Sequence, residues 1–216
     1  MPSTELNLGI VGAGKIGVTI ARAAVAAGYD VVISGSGPAD RIALTIDVLA
    51  PGARATTLAD VVQHSNIIVL AVPTHRFRSL PHDMFAGKVL IDAMNYWEPI
   101  DGTDDELASA PKGTSVVVQQ HFPSARVVKS FNQLGYHEFE EGRRPGGAAD
   151  RLGMAAASDD RDALSQVLEL IDRLGFDPVE AGPLAAGGAL GPDGPAFGVG
   201  YGAEELSKLM WVPDIA

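Results

Sequence analysis

The stretch that most limits what this chain can fold into is its start, where an apolar run, Leu6 to Val11, opens into Gly12-Ala13-Gly14-Lys15-Ile16-Gly17. An Ala-rich segment carries on to Gly28, and a second apolar run follows from Asp30 to Ser34. The pattern predicts a strand, a glycine turn, a helix and another strand. The first glycine lets the chain turn sharply, the second lets a pyrophosphate approach the backbone, and the third lets the helix pack closely on the strand. The helix N-terminus then offers free N–H groups to phosphate. Glycine-rich turns occur widely, but here the flanking elements stand where a dinucleotide-binding unit requires them.

The end of the second strand bears on the choice of nucleotide, because an NAD site usually places Asp or Glu there to hold the ribose 2′-hydroxyl. This chain reads Ile33-Ser34-Gly35-Ser36-Gly37-Pro38, with no carboxylate. Two serines are able to donate to a 2′-phosphate, with Arg41 in the next helix and Lys15 as counter-charges, which favours NADP. The bland alternative is a plain loop with Arg41 in solvent.

Composition closes off other classes. At 216 residues and 46% hydrophobic content, the chain can bury a core as one domain, with or without a small extension. Cysteine is absent, which excludes disulfides, thiolate catalysis and Cys-ligated metals. His64, His75, His82, His121 and His137 show no short metal spacing, so no metal site is expected. A net charge of −11 disfavours a nucleic-acid surface. The one dense basic element, Arg143-Arg144, lies beside Glu138, Glu140 and Glu141 and reads as a solvated loop. There is no leader-like start and no apolar run near the roughly 20 residues a membrane span needs, so a cytoplasmic location is expected.

Further along, Ala39 to Leu49 has helical spacing behind Pro38, a good first helical position, and Leu58 to His64 reads as a helix capped by Thr57. Asn66 to Val72, Lys88 to Asp92 and Arg126 to Ser130 read as strands, the first nearly all apolar, as in a parallel sheet covered on both faces. Beyond residue 130 a strand at Leu152 to Ala157, a helix from Asp160 to Leu174 capped by Asp159, and a strand at Phe176 to Glu180 either extend the same sheet or form a small lobe. Residues 181 to 200 are irregular, and Ala203 to Met210 is a closing helix.

Ligands in such sheets bind beyond the carboxyl ends of the strands. Val72 and Pro73 are placed to press an apolar surface on a nicotinamide, although Pro73 also reads as a strand stop with Thr74 capping a helix. Asn95, Tyr96 and Trp97 are able to wall a ring-shaped substrate, or equally to cover a sheet edge or join an interface. Asn132 and Gln133 either orient a ring or satisfy backbone groups at a turn. His75 and His137 follow strands, where a surface role is commoner than acid or base work.

These residues together resemble the NADP oxidoreductases dependent on coenzyme F420, a deazaflavin hydride carrier. The resemblance rests on LGIVGAGKIG at Leu8 to Gly17, VVISGSGP from Val31, AVPTH from Ala71, KSFNQLG from Lys129 and FDPVEAGPL from Phe176. It implies an α/β fold, a doubly wound, mostly parallel Rossmann sheet with a small C-terminal α/β extension, divided as 1–130 for the dinucleotide and 131–216 for the substrate side. It implies hydride transfer between NADPH and F420 by cofactor alignment, with no catalytic acid or base. The implied nucleotide residues are Gly12, Ala13, Gly14, Lys15, Ile16, Gly17, Ser34, Gly35, Ser36, Arg41, Ala71, Val72, Pro73 and Ala93. The resemblance places Asn132 and Leu134 near the second ring, while Asn95, Tyr96 and Trp97 are substrate-side candidates from the reading of their own loop, which departs from the family pattern. Gly37 stands where the family commonly has Arg.

The expected partners are a small-molecule hydride acceptor or donor and a second copy of the chain in a homodimer, with no nucleic acid and no membrane. Two other readings remain: reduction of another small molecule (an imine, a flavin or a ferric complex), or a non-enzymatic NAD(P) sensor.

Overall fold

The computed structural model describes residues 6–110 and 113–210. Eight strands form one sheet in the order β3-β2-β1-β4-β5-β6-β7-β8. They are β1 (Asn7–Val11), β2 (Asp30–Ser34), β3 (Arg54–Thr56), β4 (Ile67–Leu70), β5 (Val89–Asp92), β6 (Arg126–Lys129), β7 (Gly153–Ala157) and β8 (Asp177–Gly182). Every neighbouring pair is parallel except β6 and β7. Strand order reverses between β1 and β4, where outgoing chains diverge and leave a crevice.

Both faces are covered, so the central strands are apolar on both sides. Leu8, Ile10, Val69, Val89, Ile91 and Val128 point to one face, against helices α1 (Lys15–Ala26) and α2 (Asp40–Leu49). Ile68, Leu70, Leu90 and Val127 point to the other, against α3 (Leu58–His64). Two short helices, α4 (Glu98–Asp101) and α5 (Asp105–Ala108), and a longer one, α6 (Thr114–His121), follow β5. Then come α7 (Tyr136–Gly142), α8 (Arg161–Leu174) and α9 (Ala203–Met210). The sequence carries little helical signal over α4 to α7: α4 and α5 are single turns, α6 carries Val116-Val117-Val118, a β-branched run with weak helical preference, and α7 buries only Phe139 and Gly142.

Several boundaries differ from expectation. Helix α2 begins at Asp40 behind Ala39, so Pro38 lies outside it. The cap of α8 is Asp160, whose Oδ1 accepts from Ala163 N at 2.8 Å; Asp159 instead accepts from Leu184 N at 3.0 Å. A cap must reach the third helical N–H, and only Asp160 stands at that spacing. Thr57 does cap α3, accepting from Asp60 N at 3.2 Å. Thr74 caps nothing: it begins a 3₁₀ turn, Thr74–Ser79, behind Pro73, and its hydroxyl donates to Asn95 O at 2.7 Å. Further 3₁₀ turns are His82–Phe85 and, in the region 181–200, Leu184–Leu190.

The last two strands extend the same sheet across an unusual seam. Lys129 and Ala157 are the one ladder pair joining β6 to β7. Side chains supply the rest. Ser130 Oγ donates to Ala155 O at 2.8 Å and Ser158 Oγ to Val127 O at 2.7 Å. The Gln133 amide donates to Gly153 O and accepts from Ala155 N, running along β7 as a strand's peptide group would. Phe131, the one non-glycine residue with positive φ (63°) among those described, turns the chain away from β6 into this arrangement.

Candidate active site

At the switch point lies a cavity of about 1030 Å³ bordered by Gly12 to Gly14, Ser34 to Gly37 and Ala71 to Pro73. Its three glycines do different work. A Cβ on Gly12 would stand 2.2 Å from the carbonyl oxygen of Ala71, and φ there is +118°. One on Gly17 would stand 2.0 Å from the Gly12 oxygen. Both positions are closed by protein backbone. Gly14 is different: a Cβ there meets nothing within 4 Å. It opens the α1 N-terminus, where no side chain caps the helix and no acidic residue occupies the first turn. The N–H groups are therefore free for an anion in the space beside Gly14.

The backbone fixes this turn to its neighbours. Gly12 N donates to Ser34 O at 2.8 Å, Ala71 N to Val11 O at 2.8 Å and Ala93 N to Leu70 O at 3.1 Å. Ala13 and Ile16 pack partly into the main core.

Ser34 is 1% exposed, borders the cavity, and its Oγ has no hydrogen-bond partner. A buried hydroxyl left unpaired costs free energy, so its retention beside an open cavity suits a ligand oxygen. Ser36 is exposed on the same loop. The Arg41 side chain folds against Gly37, its Nη1 3.4 Å from where a Gly37 Cβ would be. Lys15 points elsewhere, donating to Tyr136 Oη at 3.2 Å with its ammonium 4.8 Å from that ring's centre. Of the two cations read from the sequence, Arg41 is the one beside the serine loop. These residues fit a 2′-phosphorylated dinucleotide.

A second cavity, about 650 Å³, is bordered by Tyr96, Trp97, Gly113, Lys129 and Gly187. Trp97 is 47% exposed. Tyr96 organises its own loop, its hydroxyl donating to Gly102 O and accepting from Asp104 N, both at 3.0 Å. Asn95 links two strand ends: its amide donates to Asn132 O, and its Oδ1 accepts from the Asn132 amide, both at 2.9 Å. Asn132 also donates to Leu190 O at 2.7 Å, and Leu134 is packed in the core at 4% exposure. The amides of KSFNQ thus hold backbone in place.

Two ionisable features were not foreseen. Lys129 and Asp92 face each other in register at the ends of β6 and β5, both almost wholly buried, with Nζ 3.4 Å from Oδ2. Lys129 also donates to Met94 O, while Asp92 accepts from Ser115 Oγ at 2.6 Å and Met94 N at 3.0 Å. Burial pushes the lysine below its usual range, and the facing carboxylate opposes this. The signal was present, since opposite charges end two adjacent apolar strands. Asp101 is the other: its carboxylate, 3% exposed, accepts from His75 Nδ1 at 3.0 Å, His75 N at 3.2 Å and Trp97 N at 2.9 Å. Arg143, expected in solvent, instead donates to Leu174 O at 2.8 Å and Ala23 O at 3.3 Å, tying α8 to α1. Among the described residues no acidic or histidine cluster suits a metal, and no helix is long and apolar enough to cross a membrane.

A mostly parallel sheet with a glycine turn at its switch point and a cavity along its strand ends is the arrangement of a Rossmann-type dinucleotide-binding fold. Residues 7–96 match the family described as NADP oxidoreductase, coenzyme F420-dependent. Among solved structures, a hypothetical protein from Sinorhizobium meliloti is 27% identical, with a TM-score of 0.79 over 90% of this chain and 94% of that one. A candidate F420-dependent NADP reductase from Arthrobacter sp. FB24 is 22% identical, with a TM-score of 0.71 over 84% and 86%. An imine reductase from Bacillus cereus BAG3X2 is 16% identical, with a TM-score of 0.59, and the chain spans 57% of its length. The last two speak for the fold alone. Compared by sequence with curated proteins, the chain matches none.

Proposed function

We propose that this protein moves hydride between NADPH and a flat ring-bearing acceptor, with the deazaflavin F420 as that acceptor. The observation that carries the nucleotide half is Ser34, a buried hydroxyl without a partner at the rim of an acid-free loop that Arg41 overhangs. When bound, the nicotinamide would supply the hydride. The chain's part is placement. Gly14 and the free N–H groups of α1 would receive the pyrophosphate, and Ser34, Ser36 and Arg41 the 2′-phosphate. Val72 and Pro73 border the same cavity and would give the ring an apolar backing. Asn95, Tyr96 and Trp97, with residues beyond 130, would form the acceptor side. F420 is supported by the family match, and the wall of Tyr96 and Trp97 is the right chemistry for a planar ring.

Titration of NADPH and NADH by fluorescence, followed by stopped-flow mixing of NADPH-loaded protein with oxidised F420, flavins and ferric chelates, tests both halves. NADPH should bind more tightly, and F420 should reoxidise it fastest. Equal affinities would remove the 2′-phosphate assignment. Turnover with flavin or ferric chelate but not F420 would replace the acceptor.

A further inference from the structure

Two segments that border different cavities are bolted to each other. The Thr74–Ser79 turn contributes His75, Arg76 and Ser79 to the border of the nucleotide cavity. The segment from Asn95 to Glu106 contributes Tyr96, Trp97 and Glu98 to the border of the second cavity. Thr74 holds Asn95 O; Arg78 reaches Asp104 at 2.5 Å and Glu106 at 2.6 Å; and His75 meets Asp101.

The Asp101 contact differs from the others in what its loss would cost. The Arg78 pairs are partly solvated, and water can replace them cheaply. The Asp101 carboxylate is 3% exposed, with one oxygen on the His75 ring and backbone and the other on Trp97 N. A buried carboxylate is tolerable only while its donors stay in place, so displacement of His75 must be followed by displacement of the loop. Both ends of this linkage border a cavity, one the nucleotide's and one Trp97's.

We infer that Asp101 is a positioning residue that couples the two cavities: a nucleotide seated against His75 sets the position of Trp97, and with it the shape of the acceptor pocket. The inference rests on the nucleotide reading above. His75 borders the same cavity as the Ser34–Gly37 loop assigned to the 2′-phosphate, so the adenosine end of the cofactor, which bears no reacting atom, prepares the site for a planar second substrate. Coupling of this kind requires two sites and a shared element whose position both bias.

Adenosine 2′,5′-bisphosphate tests it, because this probe fills the adenosine end alone. The chain has two tryptophans, Trp97 and Trp211, so W211F leaves Trp97 as sole reporter. In that background the bisphosphate should shift Trp97 emission and change its quenching by acrylamide. In W211F/D101N, where an amide can still accept from His75 but its nitrogen cannot accept from Trp97 N, the probe should bind by calorimetry and the Trp97 response should vanish. A response of unchanged size in D101N overturns the coupling, as does calorimetric binding to W211F with no Trp97 response. Absence of bisphosphate binding to the wild-type chain would remove the nucleotide reading itself, a result distinguishable from the other two. Thermal melts of both variants separate loss of coupling from loss of fold: if D101N binds the probe and melts as W211F does, the vanished response belongs to the linkage.

Discussion

At the level of single residues, the glycine turn separates structural from functional demand. Gly12 and Gly17 are required by neighbouring backbone atoms, and Gly14 by nothing the protein supplies. Gly17→Ala should therefore destabilise the fold by about 1–3 kcal/mol or more, because a methyl group has no space beside the Gly12 carbonyl. Gly14→Asp should leave the melting temperature nearly unchanged and abolish NADPH binding, its carboxylate replacing the pyrophosphate at the helix N-terminus. Calorimetric titration beside thermal melts checks both, and retained binding in the Gly14 variant would show that the turn holds no phosphate. The glycine spacing was legible from sequence, but it could not tell which glycine faces protein and which faces ligand. That distinction depends on where the carbonyls of Ala71, far along the chain, and of Gly12 itself come to lie.

Among the elements, the two single-turn helices after β5 bury one side chain, Leu107, and are otherwise held by polar and charged contacts. Asp104 caps α5, accepting from Leu107 N at 3.1 Å, and pairs with Arg78. The Leu107 N–H, with Arg78 adding to it, holds the carboxyl below its ordinary 3.8. A depressed carboxylate contributes stability above its unfolded value and loses it as pH falls through the folded value. Wild-type protein should thus lose stability more steeply below pH 3.8 than Asp104→Asn, which keeps the cap but cannot titrate. Melting curves from about pH 5 to about pH 2 would show this; parallel curves would mean the pair adds nothing. Residues 98–110 gave no helical signal because each helix is a single turn, formed only when Tyr96, Arg78 and His75 hold its ends. Long periodic elements such as α8, by contrast, were readable apart from their caps.

On the scale of the whole molecule, the sheet is continuous only because side chains complete the seam between β6 and β7. Gln133→Leu would strip hydrogen bonds from Gly153 O and Ala155 N in a buried place, at about 1–3 kcal/mol per unpaired group. Hydrogen exchange should then speed up in β7 and β8 while β1, β4 and β5 stay protected, and uniform protection would mean that the seam does not depend on Gln133. The alternation of apolar strands and helices up to residue 130, and the acid-free serine loop, were determined by the sequence alone, because periodicity and local residue chemistry are properties of neighbouring positions. What lay beyond its reach depended on approach between distant segments. The tertiary structure decided that β7 and β8 join the same sheet, that Lys15 turns to Tyr136 while Arg41 covers Gly37, and that Asp101 meets His75. Hydrogen bonds and ion pairs of this kind span from a few to more than a hundred residues, and no local pattern encodes which partner a buried polar group will find.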